Sequence, residues 1–239
     1  MAVMILVALL SFIPSILMFL FLRNNRKEDE TYRKDCNALL GKGLLICVIV
    51  FLGDFAISIP WNMTGIGDKY PLIDEIFTCF IINALIEEGA KFLTANKFIT
   101  KDKSKTSKLD VISFLVIAAL AFGLLEDIVY AFNTNLGQII VRGILMGHVP
   151  YAMVTGQLYG KGIAEKKKWL GVLGFVIAVL LHGTYNLMLK EDLPDWSAFV
   201  VVTETALEFI YMIYMIFFIR KKRNDPEYNR PIFTESQEA

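Results

Sequence analysis

Apolar residues run in long blocks along this chain, separated by short clusters of charge. Seven blocks reach the roughly 20 residues needed to cross about 30 Å of hydrocarbon: approximately 2–22, 43–61, 72–98, 111–132, 138–160, 169–189 and 197–219. The connections are short and no internal repeat is visible. The pattern predicts an all-α, polytopic membrane helix bundle over residues 1–223, with seven transmembrane helices and no attached soluble domain. Residues 224–239 are polar, contain two prolines, and are expected to form a disordered cytoplasmic tail.

Basic residues alternate between the connections. Arg23, Arg26, Lys27, Arg33, Lys34 and Lys42 follow the first block, and Lys101, Lys103, Lys105 and Lys108 follow the third. Lys161 and Lys166 to Lys168 follow the fifth, and Arg220 to Arg223 follow the last. The intervening connections hold only Lys69, then no basic residue, then Lys190. This alternation predicts an outside N-terminus and a cytoplasmic C-terminus, which requires an odd number of spans. The first block has no basic residues before it and is expected to be a retained anchor rather than a signal peptide. Trp61, Trp169 and Trp196 fall at block ends, where interfacial tryptophans belong.

Composition agrees with a membrane protein. The 239 residues are 55% hydrophobic, and the mean hydropathy is +0.52, too apolar for an ordinary soluble domain. Net charge is zero, so nothing points to a nucleic-acid partner. Cys36, Cys47 and Cys79 are odd in number, lack CxxC spacing, and are expected to be free thiols.

Against that background, five ionisable residues stand out inside the blocks: Glu87, Glu88, Glu126, His148 and His182. A charge near the bilayer centre costs about 2.5–3.5 kcal/mol on insertion scales, so such groups face a protein interior and mark function. His148 and His182 are the only histidines. Helical spacing puts Glu87 and Glu88 within reach of Lys91, which can neutralise one carboxylate and leave the other to exchange protons. Phe122, Glu126 and Tyr130 recur every four residues on one face, as do His182 and Asn186. His148 lies between two small-xxx-small patterns, Gly143 to Gly147 and Gly156 to Gly160, which allow close helix approach. A rise of about 1.5 Å per residue puts Glu87 and Glu88 at roughly 14 Å from the cytoplasmic side, the histidines at roughly 20 Å and Glu126 at roughly 25 Å, which permits one shared site. Asp54, Asn83, Glu204 and Glu208 are also in or near spans, and a structural role is expected for the last two.

Together these residues resemble the motif set of the PrsW family of intramembrane proteases, within the superfamily that includes the CAAX prenyl endopeptidases. The paired glutamates and following lysine are Glu87, Glu88 and Lys91. The phenylalanine-to-glutamate motif with its tyrosine is Phe122, Glu126 and Tyr130, and the two histidines are His148 and His182, the latter with Asn186. The motifs occur in family order over about residues 72–189. A glutamate at 126 and a lysine at 91 favour the PrsW branch over the CAAX branch. The resemblance implies a cell-membrane peptidase that makes the first, extracytoplasmic cut in a single-pass anti-sigma factor during a stress response.

The expected catalytic set is therefore Glu87, Glu88, Glu126, His148 and His182, supported by Lys91, Phe122, Tyr130 and Asn186. Glu87 is the expected general base and Asn186 the expected oxyanion donor. Glu126, His148 and His182 either bind one divalent metal such as zinc or orient the water directly; without an HExxH arrangement the metal stays open. Two other readings stay open beside the peptidase. A proton- or ion-coupled transporter also keeps such residues in the membrane, though transporters commonly show repeats. A protease-like scaffold without activity would carry the same sequence.

Overall fold

The structure is a computed structural model that describes residues 10–131, 136–190, 194 and 196–233, except the side chains at 130, 131 and 136–140. Every regular element among them is helical. In chain order these are α1 (Ile13–Arg23), a 3-10 turn (Asn24–Arg26), α2 (Glu30–Met63), α3 (Ile66–Lys69), α4 (Pro71–Ile76), a π-helical stretch (Phe77–Leu85) and α5 (Ile86–Ile99). There follow α6 (Lys108–Ala131), α7 (Leu136–Leu145), α8 (Val149–Ala164), α9 (Lys168–Met188), α10 (Trp196–Lys222) and α11 (Pro226–Asn229).

Four of these helices, α2, α6, α9 and α10, are each long and apolar enough to cross a membrane. Two of the remaining expected segments are helical but interrupted. The block at 72–98 becomes α4, the π-helical stretch and α5, and the block at 138–160 becomes α7 and α8. The first block is described only from Leu10 onward, as α1.

The helix that is apolar all round takes the centre, as its composition requires. Every residue of α6 from Val111 to Phe122 is buried, packed among α2, α5 and α8. Its start is fixed by a reciprocal cap, in which Asp110 Oδ2 accepts from the Ser107 backbone N–H at 2.7 Å and Ser107 Oγ accepts from Asp110 N–H at 3.3 Å. Arg26 adds a 2.6 Å ion pair to the same carboxylate. Gly156 of α8 meets α6 where no side chain fits: a Cβ there would lie 2.8 Å from Ile112 Cα. The outer helices turn large apolar side chains outward, with Leu52 66% and Phe199 73% exposed. Such a surface is stable against lipid rather than water.

The C-terminal tail departs from expectation. Its described part folds back instead of being disordered from residue 224. Asp225 caps α11 by accepting from the Glu227 N–H at 3.0 Å, the Ile232 N–H donates to the Thr106 carbonyl at 3.0 Å, and Ile232 is buried. The cap and one buried side chain hold a segment whose overall polarity suggested none of this. Residues 234–239 lie outside the described residues.

Candidate active site

Two local features aim the polar residues inward. The π-helical stretch ends at Leu85, just ahead of Glu87 and Glu88, and such insertions change which residues face a neighbouring helix. Between α7 and α8 the chain breaks at Met146 (φ 52°) and Gly147 (φ 26°), both left-handed. A left-handed methionine is costly and persists only where surrounding structure demands it. The break makes His148 the N-cap residue of α8, with Pro150 in its first turn, where proline is tolerated. Gly147 thus serves the turn, and of the two small-residue patterns only Gly156 to Gly160 forms the contact with α6.

The result is one connected cluster. Lys91 Nζ donates to Glu88 Oε1 at 2.7 Å, lies 3.7 Å from Glu87 Oε2, and lies 2.8 Å from His148 Nδ1. An ammonium has only donors, so His148 Nδ1 accepts and the ring proton sits on Nε2. That nitrogen donates to Glu126 Oε2 at 2.6 Å. Glu126 Oε2 also accepts from Arg142 Nη2 at 2.9 Å, while Arg142 Nε donates to Asp127 Oδ1 at 2.8 Å. On the other side, His182 Nδ1 is 3.1 Å from Glu88 Oε1. The carboxylate can only accept, so Nδ1 carries the proton and Nε2 presents its lone pair.

Glu87 stands apart within this network. Its Oε2 is buried without a hydrogen-bond partner and lies 3.9 Å from Nε2 of both His148 and His182. Phe122 forms a wall of the site: its ring lies 4.4 Å from Lys91 Nζ and meets His148 edge-on at 5.2 Å. Asn186 lines the same cavity as Glu126, His148 and His182. The side chain of Tyr130 lies outside the described residues.

Two contributors were not expected from sequence. Arg142, half-buried within an apolar block of sequence, anchors Glu126; a lone arginine in a membrane segment is itself a functional signal. Tyr151, one turn beyond His148, stacks on the His182 ring at 5.3 Å and 12°.

The donor set fits a divalent metal. Two ligand atoms each about 2.1 Å from zinc can stand up to about 4.2 Å apart, and both 3.9 Å separations from Glu87 fall inside that limit, but His148 reaches it through Nε2 and ligates only on losing the proton it donates to Glu126. Two histidines and a glutamate are an established zinc donor set, and here they are Glu87, His148 and His182. Glu126, expected as the carboxylate of that set, holds the same His148 nitrogen, Nε2, at 2.6 Å and is also engaged by Arg142.

Fold and site together define a multi-pass helical membrane protein with a buried histidine–carboxylate centre. The chain belongs to the PrsW family, described as intramembrane metalloproteases, whose pattern matches residues 36–220 and so includes every residue of the centre. It is similar to the Protease PrsW of Clostridioides difficile (strain 630), 31% identical over 137 residues, covering 53% of this chain and 57% of that one. The Protease PrsW of Oceanobacillus iheyensis is 27% identical over 186 residues, covering 75% and 78%. That of Shouchella clausii is 31% identical over 116 residues, covering 47% and 54%. The chain thus spans a little over half the length of the first and third relatives. No solved structure matches.

Proposed function

We propose that this protein is an intramembrane peptidase making a site-1-type extracytoplasmic cut in a single-pass membrane protein such as an anti-sigma factor. It spans the cell membrane seven times, with the N-terminus outside and the C-terminus in the cytoplasm. The observation that carries the reading is Glu87 Oε2, a buried carboxylate oxygen ion-paired with Lys91, without a hydrogen-bond partner among the described residues, and facing two histidine nitrogens.

Peptide hydrolysis adds water across the C–N bond. The water oxygen bonds to the carbonyl carbon, the carbonyl oxygen gains charge, and the amine leaves with a proton. Glu87 takes the proton from the attacking water and returns it to the leaving nitrogen. Glu88, accepting from both Lys91 and His182, fixes the His182 tautomer with Nε2 turned toward Glu87. Glu126 accepts from His148 Nε2 and is itself held by Arg142, which together fix the His148 ring and its tautomer. Asn186 donates to the carbonyl oxygen as it gains charge. A divalent metal held by Glu87, His148 and His182 would instead supply Lewis acidity at the water and carbonyl, with Glu87 then a ligand rather than the base.

The test is reconstitution in proteoliposomes with a single-pass anti-sigma factor encoded in the same genome. Glu87→Gln and His182→Ala should each abolish cutting while expression and thermal stability stay near wild type; full activity in both variants refutes the assignment. Chelation should abolish cleavage and zinc should restore it. Unchanged activity after verified metal removal ends the metal-dependent version.

A further inference from the structure

Glu204 and Glu208 have no place in the hydrolytic centre, yet each is only 8% exposed. Both oxygens of Glu204 and Oε1 of Glu208 are buried without a hydrogen-bond partner among the described residues. Leaving such groups unsatisfied costs stability, so within the isolated chain they are a liability. They lie four residues apart on α10 and line a largely apolar groove of about 430 Å³ between α8, α9 and α10. Glu208 also lines the cavity of the candidate active site and so borders both the groove and the centre. Glu208 interacts with Tyr151, whose ring is stacked on His182. On its outer side the groove is bordered by Phe199 and Leu207, which are 73% and 62% exposed.

We infer that this groove is the lateral binding site for an extended segment of the substrate polypeptide, whose backbone N–H groups are received by Glu204 and Glu208. The inference rests on the peptidase reading and names how its substrate enters. The chemistry selects the occupant. A lipid acyl chain offers no donors to the carboxylates. An intact transmembrane helix has its N–H groups engaged internally, except in its first turn. An unwound stretch of peptide presents free N–H groups together with apolar side chains, and matches both the carboxylates and the walls. It is also the form in which a peptide bond is accessible to hydrolysis. Entry between α8, α9 and α10 brings that stretch past Glu208 toward His182 and Glu87.

Binding can be read separately from cutting. The Glu87→Gln protein in nanodiscs is titrated with a fluorescent peptide spanning the membrane segment of the reconstituted substrate. Adding Glu204→Leu is expected to weaken binding about tenfold while raising the melting temperature, because an unpartnered buried carboxylate is replaced by an apolar side chain. Glu204→Gln, which keeps the shape and one acceptor, should fall between. In the otherwise wild-type enzyme, Glu204→Leu should raise KM with little change in kcat. A photocrosslinking residue at Leu207 should capture the peptide, and excess unlabelled peptide should compete. Unchanged peptide affinity in Glu204→Leu, or crosslinks to phospholipid that added peptide does not displace, would overturn the proposal. Failure of the wild-type protein to cut would instead remove the peptidase reading, since groove binding is measured in a protein that does not cut.

Discussion

Two pairs of glutamates are buried to nearly the same degree in this protein, and they are treated in opposite ways. Glu87 and Glu88 are 9% and 5% exposed, and Glu204 and Glu208 are both 8% exposed. The first pair is surrounded by compensation: a lysine, two histidines and, behind them, a second carboxylate and an arginine. Among the described residues the second pair has three oxygens with no hydrogen-bond partner, whereas the first has one, which Lys91 still compensates. Burial alone therefore says little about what a membrane carboxylate does; the partners decide. A compensated cluster is preorganised, with its donors already placed before a reaction begins. An uncompensated one leaves its acceptors for something that arrives.

The same substitution at the two pairs should separate them most widely. Glu87→Gln is expected to lower kcat by about 10²–10⁴, the range for loss of a general base, with KM nearly unchanged. Glu204→Gln should leave kcat close to wild type. Equal losses of kcat at both positions would erase the distinction. Next in size is Lys91→Met. Lys91 is 2% exposed and in contact with both glutamates and His148. Removing one partner of a buried ion pair typically costs about 3–5 kcal/mol, and thermal unfolding in detergent should show a loss of that order. Adding Glu88→Leu to Lys91→Met should recover part of it, because the stranded charge goes too.

Much of the centre was legible because local spacing fixes it. Lys91 reaches Glu87 and Glu88 as helical offsets of four and three require, and the histidine and glutamate faces of the neighbouring helices do meet. What spacing cannot convey is the relative height of residues on different helices. Hence the carboxylate that lies near both histidines is Glu87, while Glu126 is bound to His148 Nε2. Nor does a uniformly apolar block announce an interruption. The break at Met146 and Gly147 and the π-helical stretch before Ile86 depend on tertiary packing, and both divide segments that hydropathy draws as single spans. Arg142 was hidden for the same reason, as one charge within an apolar run. The tail was misread because its order comes from contacts more than a hundred residues away, at Thr106 and Ser107.

Arg142 provides a finer test of how far compensation extends. Arg142→Ala removes the cation that engages Glu126 and Asp127 without touching Glu87 or His182. Loss of an outer partner of a metal-ligating histidine commonly costs about 10–100-fold in metal affinity or activity. Cleavage should fall by that factor and zinc affinity should weaken in parallel. Arg142→Lys should recover little, because one ammonium cannot reproduce the forked contact to two carboxylates. If Arg142→Ala is fully active, the supporting network ends at Glu126.

The smallest effect belongs to an ion pair outside the membrane, where water supplies the compensation that the interior must build. Glu227 of α11 accepts from Lys108 Nζ at 2.9 Å, but its side chain is 57% exposed. The hydrogen bond from Lys108 holds its carboxyl below the usual carboxylate range. A depressed pKa means that the pair contributes stability above the ordinary carboxylate pKa and loses it as pH falls through the folded-state value. Exposed pairs contribute little even at their best. Glu227→Gln should therefore shift the melting temperature barely, if measurably, at pH 7, and any difference from wild type should close on acidification. A large shift at neutral pH would mean that pairing itself, rather than burial with or without partners, sets the energetic scale that separates the two buried glutamate pairs.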